Sequence, residues 1–449
     1  YFNIIDNPDV SEFLCDCSYL SEPTEEQLDE IKGFFNSYKV NDDCLPENII
    51  AIDSDLHETA IRKELPYTNV GYVKIVGNLL KKAEYIKLDG NHFVDPFQVA
   101  KVTKSKEEML LILPCSNMSY KGKNTAKDSF RLALEEFFEK ISSKEGSEIT
   151  SLKETLFWLA SYRDNGSSRE KIILHKCSNC GHPDIEVLNI KENQKCPYCG
   201  ADIYATDVLR IYEAVEEMSL SNIGALGRLK VVMKHIYLAH LLRTLIEFNK
   251  DTYVNIFDEL AFVINGTLAI SGQPAWIHNC LMKIISDINS NMRKNNKRDI
   301  LILGIVSEGA NIKTFTNMVS QYVDNGSLYC VSDDFRNNYI ECNRSPSSTT
   351  FGAETYYGQD FIYKSRKGKS FVFNLPYPFR SKENLKAFKE GKSNISYYNN
   401  LDKAINVINE FECDLSSDKI VPIILSEKYT SISIEPGATV LDLLAKNCL

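Results

Sequence analysis

The sequence predicts an α/β fold in which a mixed sheet flanked by helices carries an inserted cysteine module. Three observations lead there. Three strand-like runs precede any long helical one, strand-like and helix-like runs alternate through the C-terminal half, and two Cys-x-x-Cys pairs interrupt the order between helices. At 449 residues, 43% apolar and 25% charged, the chain has a globular composition and length for roughly two or three structural units.

The elements follow in order. Thr24 with Gln27 forms a capping-box pattern that starts a helix over 24–38. Residues 47–55 (ENIIAIDSD), 71–80 (GYVKIVGNLL) and 107–115 (EEMLLILPC) read as three strands opening a mixed sheet. Apolar residues at three-and-four spacing predict helices over 124–145 and 150–162, and the polar break 163–171 introduces the cysteine module. Helices are expected at 206–218 and 225–248. ELAFVING and RDILILGIVSEG read as strands, AWIHNCLMKIISDINSNM and NIKTFTNMVSQYV as helices, and 345–354 as a loop. Paired β segments around YYGQDFIYKS and KSFVFNLPYP, a helix over 401–412 and a closing strand in VPIILSEKYTSISI complete the order. His235 and His240 lie on a strongly apolar run and read as core residues.

The net charge of −10 argues against coating nucleic acid by bulk charge while allowing a local basic groove. Thirteen cysteines, odd in number and mostly scattered, fit a reducing compartment, and neither a secretory signal nor a membrane span is legible, which points to a cytoplasmic protein. Four of the cysteines form the strongest motif: Cys177 and Cys180, fifteen residues, then Cys196 and Cys199, with Gly181 and Gly200 directly behind. Two such knuckles supply four soft thiolates for a closed tetrahedral structural zinc, whereas catalytic zinc keeps a position open.

Asp53, Asp55 and Glu58 place three carboxylates at and just beyond a predicted strand end, where acids can hold divalent cations for phosphodiester chemistry. Together with GYVKIVGNLL, the cysteine knuckles, TDVLRIYEAVEE, GRLKVVMKHIYLAHLLR, AFVINGTLAISGQPAW, LGIVSEG, TYYGQDFIYKSRKGKSFVFNLPYP and PIILSEKYTSISIEPG, this order resembles the NurA nuclease family from about residue 47 onward. The resemblance implies an RNase H-like fold, manganese or magnesium at a nuclease centre, DNA as substrate and a HerA-type hexameric ATPase as partner. It also implies a homodimer and a role in DNA end repair or anti-phage defence. The implied organisation is an N-terminal helical arm over 1–46, a NurA-like domain over 47–170 and 206–449, and a zinc ribbon inserted at 171–205.

The chain departs from the family pattern where the chemistry belongs. Asp53 retains the leading carboxylate, but Lys234 stands for a glutamate and Asn265 for a strand-end aspartate. Val306 and Ser307 replace a Glu-Lys pair, and Glu427 takes the place of a late histidine. A lysine adds positive charge where a cation belongs, and an amide brings none of the charge that binds one. The resemblance therefore implies a degenerate nuclease centre. A rearranged carboxylate site using Asp55, Glu58, Glu308 and Glu427 would instead keep an active nuclease, and a non-catalytic zinc-ribbon adaptor is the remaining reading. Tyr363, Lys364, Arg366, Lys367 and Lys369 mix rings and positive charge in the manner of strand-binding grooves and are the expected DNA contacts.

Overall fold

The computed structural model describes residues 7–17, 23–41, 44–62, 67–89, 106–142, 150–163, 168–306, 309–341, 350–413, 416 and 418–432. All the expected strands but the closing one are present, and the first two extend further than the sequence suggests. β1 (Asn36–Ser37) is a short edge strand, followed by β2 (Asn48–Arg62), β3 (Thr68–Lys81) and β4 (Lys106–Pro114). β5 (Lys171–Lys176) and β6 (Pro183–Leu188) form the hairpin of the cysteine module. β7 (Leu260–Asn265), β8 (Leu301–Ile305), β9 (Ser327–Cys330), β10 (Gly358–Lys364) and β11 (Ser370–Pro376) return to the main sheet.

That main sheet has nine strands in the order β1-β9-β10-β11-β8-β7-β2-β3-β4. β2, β3 and β4 are an antiparallel meander, β7 runs parallel to β2, and β8 runs parallel to β7. The remaining strands add antiparallel beyond β8. β7 and β8 are buried along almost their whole length and read as continuous apolar runs, as sheet centres with both faces covered must.

The helices are α1 (Pro8–Asp16), α2 (Glu25–Phe34), α3 (Lys82–Asp89), α4 (Ala126–Glu139), α5 (Leu152–Ser161), α6 (Ile223–Phe248), α7 (Tyr253–Glu259), α8 (Trp276–Lys294), α9 (Asn311–Val319), α10 (Leu385–Lys392), α11 (Leu401–Phe411) and α12 (Val421–Thr430). The Thr24–Gln27 capping box at α2 is formed in both directions. α6 and α12 both pack on β2 and β3. α6 comes close because Gly77 on β3 has no side chain: a Cβ there would collide with the Tyr237 ring. Ile172, Leu174, Ile185 and Val187 of the β5–β6 hairpin join the core that α5, α6 and α8 build.

The helix expected over 24–38 stops at Phe34, and its tail forms the edge strand β1. Two further segments differ from expectation. Residues 206–218 do not form one helix. They make two short 3-10 turns, Ala205–Leu209 and Ile211–Ala214, separated by Arg210 in the left-handed region (φ 55°). Asp207 staples them, accepting from Tyr204 N (3.0 Å) and pairing with the buried Arg131 guanidinium (2.6 Å). The closing strand over VPIILSEKYT is instead the helix α12, with Pro422 in its first turn, where the missing N–H costs nothing. The β-branched composition favours a strand, and packing on β2 overrides it. The first half of the expected 345–354 loop lies outside the described residues, as do Ser307 and Glu308, and 350–354 carries no helix or strand.

Candidate functional site

Asp53 lies inside β2, not at its end, since the strand continues to Arg62. The sequence places it correctly in a different sense, because the parallel pairing with β7 runs out at Ile52. Asn265, the last residue of β7, therefore sits beside it. Period-two alternation sends neighbouring side chains of β2 to opposite faces. Ser54 Oγ donates to the Lys230 carbonyl of α6 (3.2 Å), while Asp53 meets Thr430 of α12 and Asp55 meets Ile432 just beyond it.

Asp53 is 5% exposed, and both carboxylate oxygens are engaged. Oδ1 accepts from Asn265 Nδ2 (3.0 Å) and Oδ2 from Thr430 Oγ1 of α12 (2.6 Å). The Asn265 amide also donates to Glu427 Oε1 (3.0 Å), so one NH2 group bridges the two carboxylates. Lys419 Nζ lies 2.8 Å from Glu427. Lys234 reaches from α6 to donate to the Asn265 carbonyl. Asp55 accepts from Ile432 N (3.0 Å), with Lys230 Nζ 3.6 Å from its other oxygen.

Three carboxylates (Asp53, Asp55, Glu427) and three ammonium groups (Lys230, Lys234, Lys419) thus occupy this centre. Part of the Lys234 stem reaches the surface, but its ammonium end is enclosed; burial lowers its pKa to about 8 against the attraction of Asp53, and the Lys230 charge pushes the same way. The backbone makes room for it at Gly266 (φ 122°), where a Cβ would stand 3.2 Å from Nζ. A bridging amide between two carboxylates, with an ammonium behind it, satisfies these acids by hydrogen bonds and fixed positive charge. Among the described residues no three acids here come together as a metal-holding group.

The other predicted acids go elsewhere. Glu58 accepts from Asn222 N (2.9 Å) and Asn69 Nδ2 (3.4 Å), so it anchors the start of α6, where a carboxylate also suits the helix dipole. Glu308 lies outside the described residues. His235 and His240 are buried and held neutral by burial, with values of about 3 and about 4.

The basic and aromatic strip divides in two. Tyr363 is buried, its hydroxyl on Asn409 Oδ1 (2.9 Å). Lys364 Nζ caps the Ser320 and Val323 carbonyls (2.8 and 2.7 Å), and Lys369 Nζ donates to the Cys413 and Ser416 carbonyls. These three are spent on the fold: Tyr363 and Lys364 end β10 and Lys369 directly precedes β11, leaving Arg366 and Lys367 exposed on the connecting turn.

The four predicted metal ligands do converge. The Sγ atoms of Cys177, Cys180, Cys196 and Cys199 all lie within 4.8 Å of one another, with Cys177–Cys199 and Cys180–Cys196 at 3.8 Å. A tetrahedron of ~2.3 Å metal–sulfur bonds has edges of about this length. Gly181 and Gly200, both at φ 73°, turn the chain behind each knuckle. The Ala201 N–H, with the Asn179 amide, lowers the Cys199 thiol, while crowding by the other sulfurs raises that of Cys180. His182 stacks on Tyr198 at 3.4 Å, tying the knuckles together outside the sulfur set.

Sequence reasoning missed Ser426, Thr430 and Lys419. The signal was present: Ser426 and Thr430 stand four apart after Pro422, which on a helix places both on one face, and there they meet Ala51 O and Asp53.

No family model matches the chain, and no curated protein matches it. Among solved structures, that of the NurA nuclease from Sulfolobus solfataricus aligns with 98% of this chain and 92% of its own, at 12% identity and a TM-score of 0.31.

Proposed function

We propose that this chain is a NurA-like DNA-processing subunit of RNase H-like fold whose nuclease centre is degenerate. It acts as a homodimer with a HerA-type hexameric ATPase in end repair or anti-phage defence, and its four thiolates hold a structural zinc. The observation that carries the reading is the Asn265 amide bridging Asp53 and Glu427, with Lys234 and Lys419 supplying positive charge. A two-metal nuclease needs several convergent carboxylates to hold cations that activate water and steady the leaving oxygen. Here hydrogen bonds and ammonium groups already satisfy the acids, so a divalent cation would have to displace or deprotonate Lys234 and rotate Asn265. The antiparallel meander β2–β4 followed by parallel β7 and β8 supports the fold side of the reading.

The test is cleavage of single- and double-stranded DNA with Mn²⁺, by the chain alone and with its ATPase partner, beside calorimetric titration with Mn²⁺. No cleavage and no Mn²⁺ uptake that depends on Asp53 are expected in the wild type. The double substitution Lys234→Glu with Asn265→Asp is expected to gain Mn²⁺ binding. Robust cleavage abolished by Asp53→Ala would overturn the degenerate centre in favour of a working nuclease.

DNA contact in this reading falls to Arg366 and Lys367. Reversing both charges is expected to weaken single-stranded DNA binding by about 10-fold at low salt and to flatten its salt dependence. Unchanged affinity by fluorescence anisotropy would move the DNA face elsewhere.

A further inference from the structure

A cavity of about 560 Å³, lined by none of the residues of the Asp53 centre, lies between the end of α5, the start of α8 and the segments at 350–354 and 380–385. The loop that leaves β7 at Asn265 runs directly into this wall, since it ends in Trp276, the first residue of α8. The volume falls in the range of small-molecule sites, ~300–1,000 Å³.

Its lining combines three chemistries. Trp276 and Tyr162 supply aromatic surface, with Leu385 and Ala353 adding apolar wall. Arg163, Lys283, Arg380 and Lys382 supply cations against the two acids Glu354 and Glu383. The cations are not equivalent. Lys382 is buried and spends its ammonium on the carbonyls of Gly352, Ala353 and Tyr356, while Arg380 pairs with Asp287 and Lys283 donates to the Tyr162 carbonyl (2.9 Å). Arg163 is exposed and sits over the Trp276 ring at 4.9 Å, with no carboxylate partner among the described residues. The Trp276 indole N–H is shielded from solvent and has no acceptor among the described residues. A buried donor of that kind suits a ligand that brings an acceptor oxygen.

We infer that this cavity binds a phosphorylated nucleoside, its base on the Trp276–Arg163 platform and its phosphate between Arg163 and the Lys283 and Arg380 side. A bare anion would not use the aromatic wall, and an uncharged aromatic would leave the Arg163 guanidinium unanswered. Glu354 and Glu383 are placed to accept from sugar hydroxyls or an exocyclic amine, the donors a nucleoside carries. The same chemistry is presented by a free nucleotide and by the terminal nucleotide of a single strand. The inference is independent of whether the Asp53 centre cuts DNA.

The chain has two tryptophans, and Trp158 is 4% exposed, so Trp276 is the natural fluorescent reporter. The experiment titrates the full chain with dAMP, ATP, deoxyadenosine, inorganic phosphate and a 5′-phosphorylated oligodeoxynucleotide. Saturable quenching by dAMP, ATP or the oligonucleotide is expected, absent in Trp276→Phe. Deoxyadenosine and phosphate alone should each bind about 10-fold more weakly or worse. Arg163→Ala should weaken binding by about 10-fold in calorimetry, the loss expected for one cation–π and phosphate contact. Response to the oligonucleotide alone identifies a strand terminus, and response to the free nucleotides identifies a soluble ligand; either supports the site. No saturable response to any phosphorylated probe at ~10 mM, or calorimetric affinity unchanged in both variants, overturns it.

Discussion

Replacing Cys196 by serine is expected to abolish zinc retention and to unfold the β5–β6 module, with a fall in the melting temperature of the whole chain. Cys177 and Cys196 are the buried members of the sulfur set, and both belong to the core that α5, α6 and α8 share. Binding of a structural zinc by four cysteines is worth ~10–16 kcal/mol in isolated modules, and in such modules that energy is folding energy. Besides the metal, the hairpin is held by Ile172, Leu174, Ile185 and Val187, which it buries in the shared core. Its two strands of six residues pair only with each other, and a two-stranded ribbon alone is marginal in water. Metal analysis should fall from one zinc per chain to none, and amide protection over 171–205 should be lost. A strong chelator should reproduce both effects on the wild type. Full zinc content in Cys196→Ser, or unchanged melting, would refute the structural role.

Asp53→Asn is expected to destabilise the chain by about 1–3 kcal/mol, since a buried carboxylate that accepts from Asn265 and Thr430 loses its charge. Lys234, whose enclosed ammonium Asp53 attracts from beyond ion-pair distance, is left less compensated. Lys234→Met in the Asp53→Asn background should recover much of the loss, so a double-mutant cycle should show strong coupling. The pH dependence gives a second readout. Burial lowers Lys234 from 10.5 to about 8. Between these values the unfolded chain carries a proton that the folded chain has released, so stability rises with pH through that window, by up to about 1.4 kcal/mol per unit for this group. Below pH 8 both states are protonated, and the cost of holding the charged ammonium is fully present. Lys382, lowered to about 7 by burial, slopes the same way. The readout is therefore the difference between wild type and Lys234→Met in denaturant titrations at pH 8 and 9.5. Parallel profiles would mean that Lys234 is solvated and does not stand in for a cation.

Much of the scaffold was legible because local signals and tertiary packing agree there. The Thr24–Gln27 box, the alternating strands around Asp53, the apolar runs of β7 and β8 and the cysteine spacing all say locally what the fold requires. They fail where a long-range contact decides. Asp207 gives up helix for two turns because Arg131, on α4, claims its carboxylate. Val421–Thr430 becomes helix because its polar positions answer Ala51 and Asp53, far away in sequence. The candidate site was half legible for the same reason. Asp53, Lys234, Asn265 and Glu427 come together, but Glu58 is consumed in anchoring α6. Periodicity cannot tell an acid that faces a site from one that ties down a helix. Nor does charge composition reveal that Lys364 and Lys369 cap carbonyls.

The Asp53 centre also has a history in time. Its parts come from Asp53, Lys234, Asn265 and Glu427, and the Asp53–Thr430 bond joins residues 377 positions apart. During synthesis at ~5–20 residues per second, β2 waits on the order of half a minute before α12 leaves the ribosome. Throughout that interval Asp53 lacks the helix that covers it, and the sheet beside it has an open face. The nascent chain is thus most exposed to aggregation, and most dependent on chaperones, just before α12 arrives to close the centre.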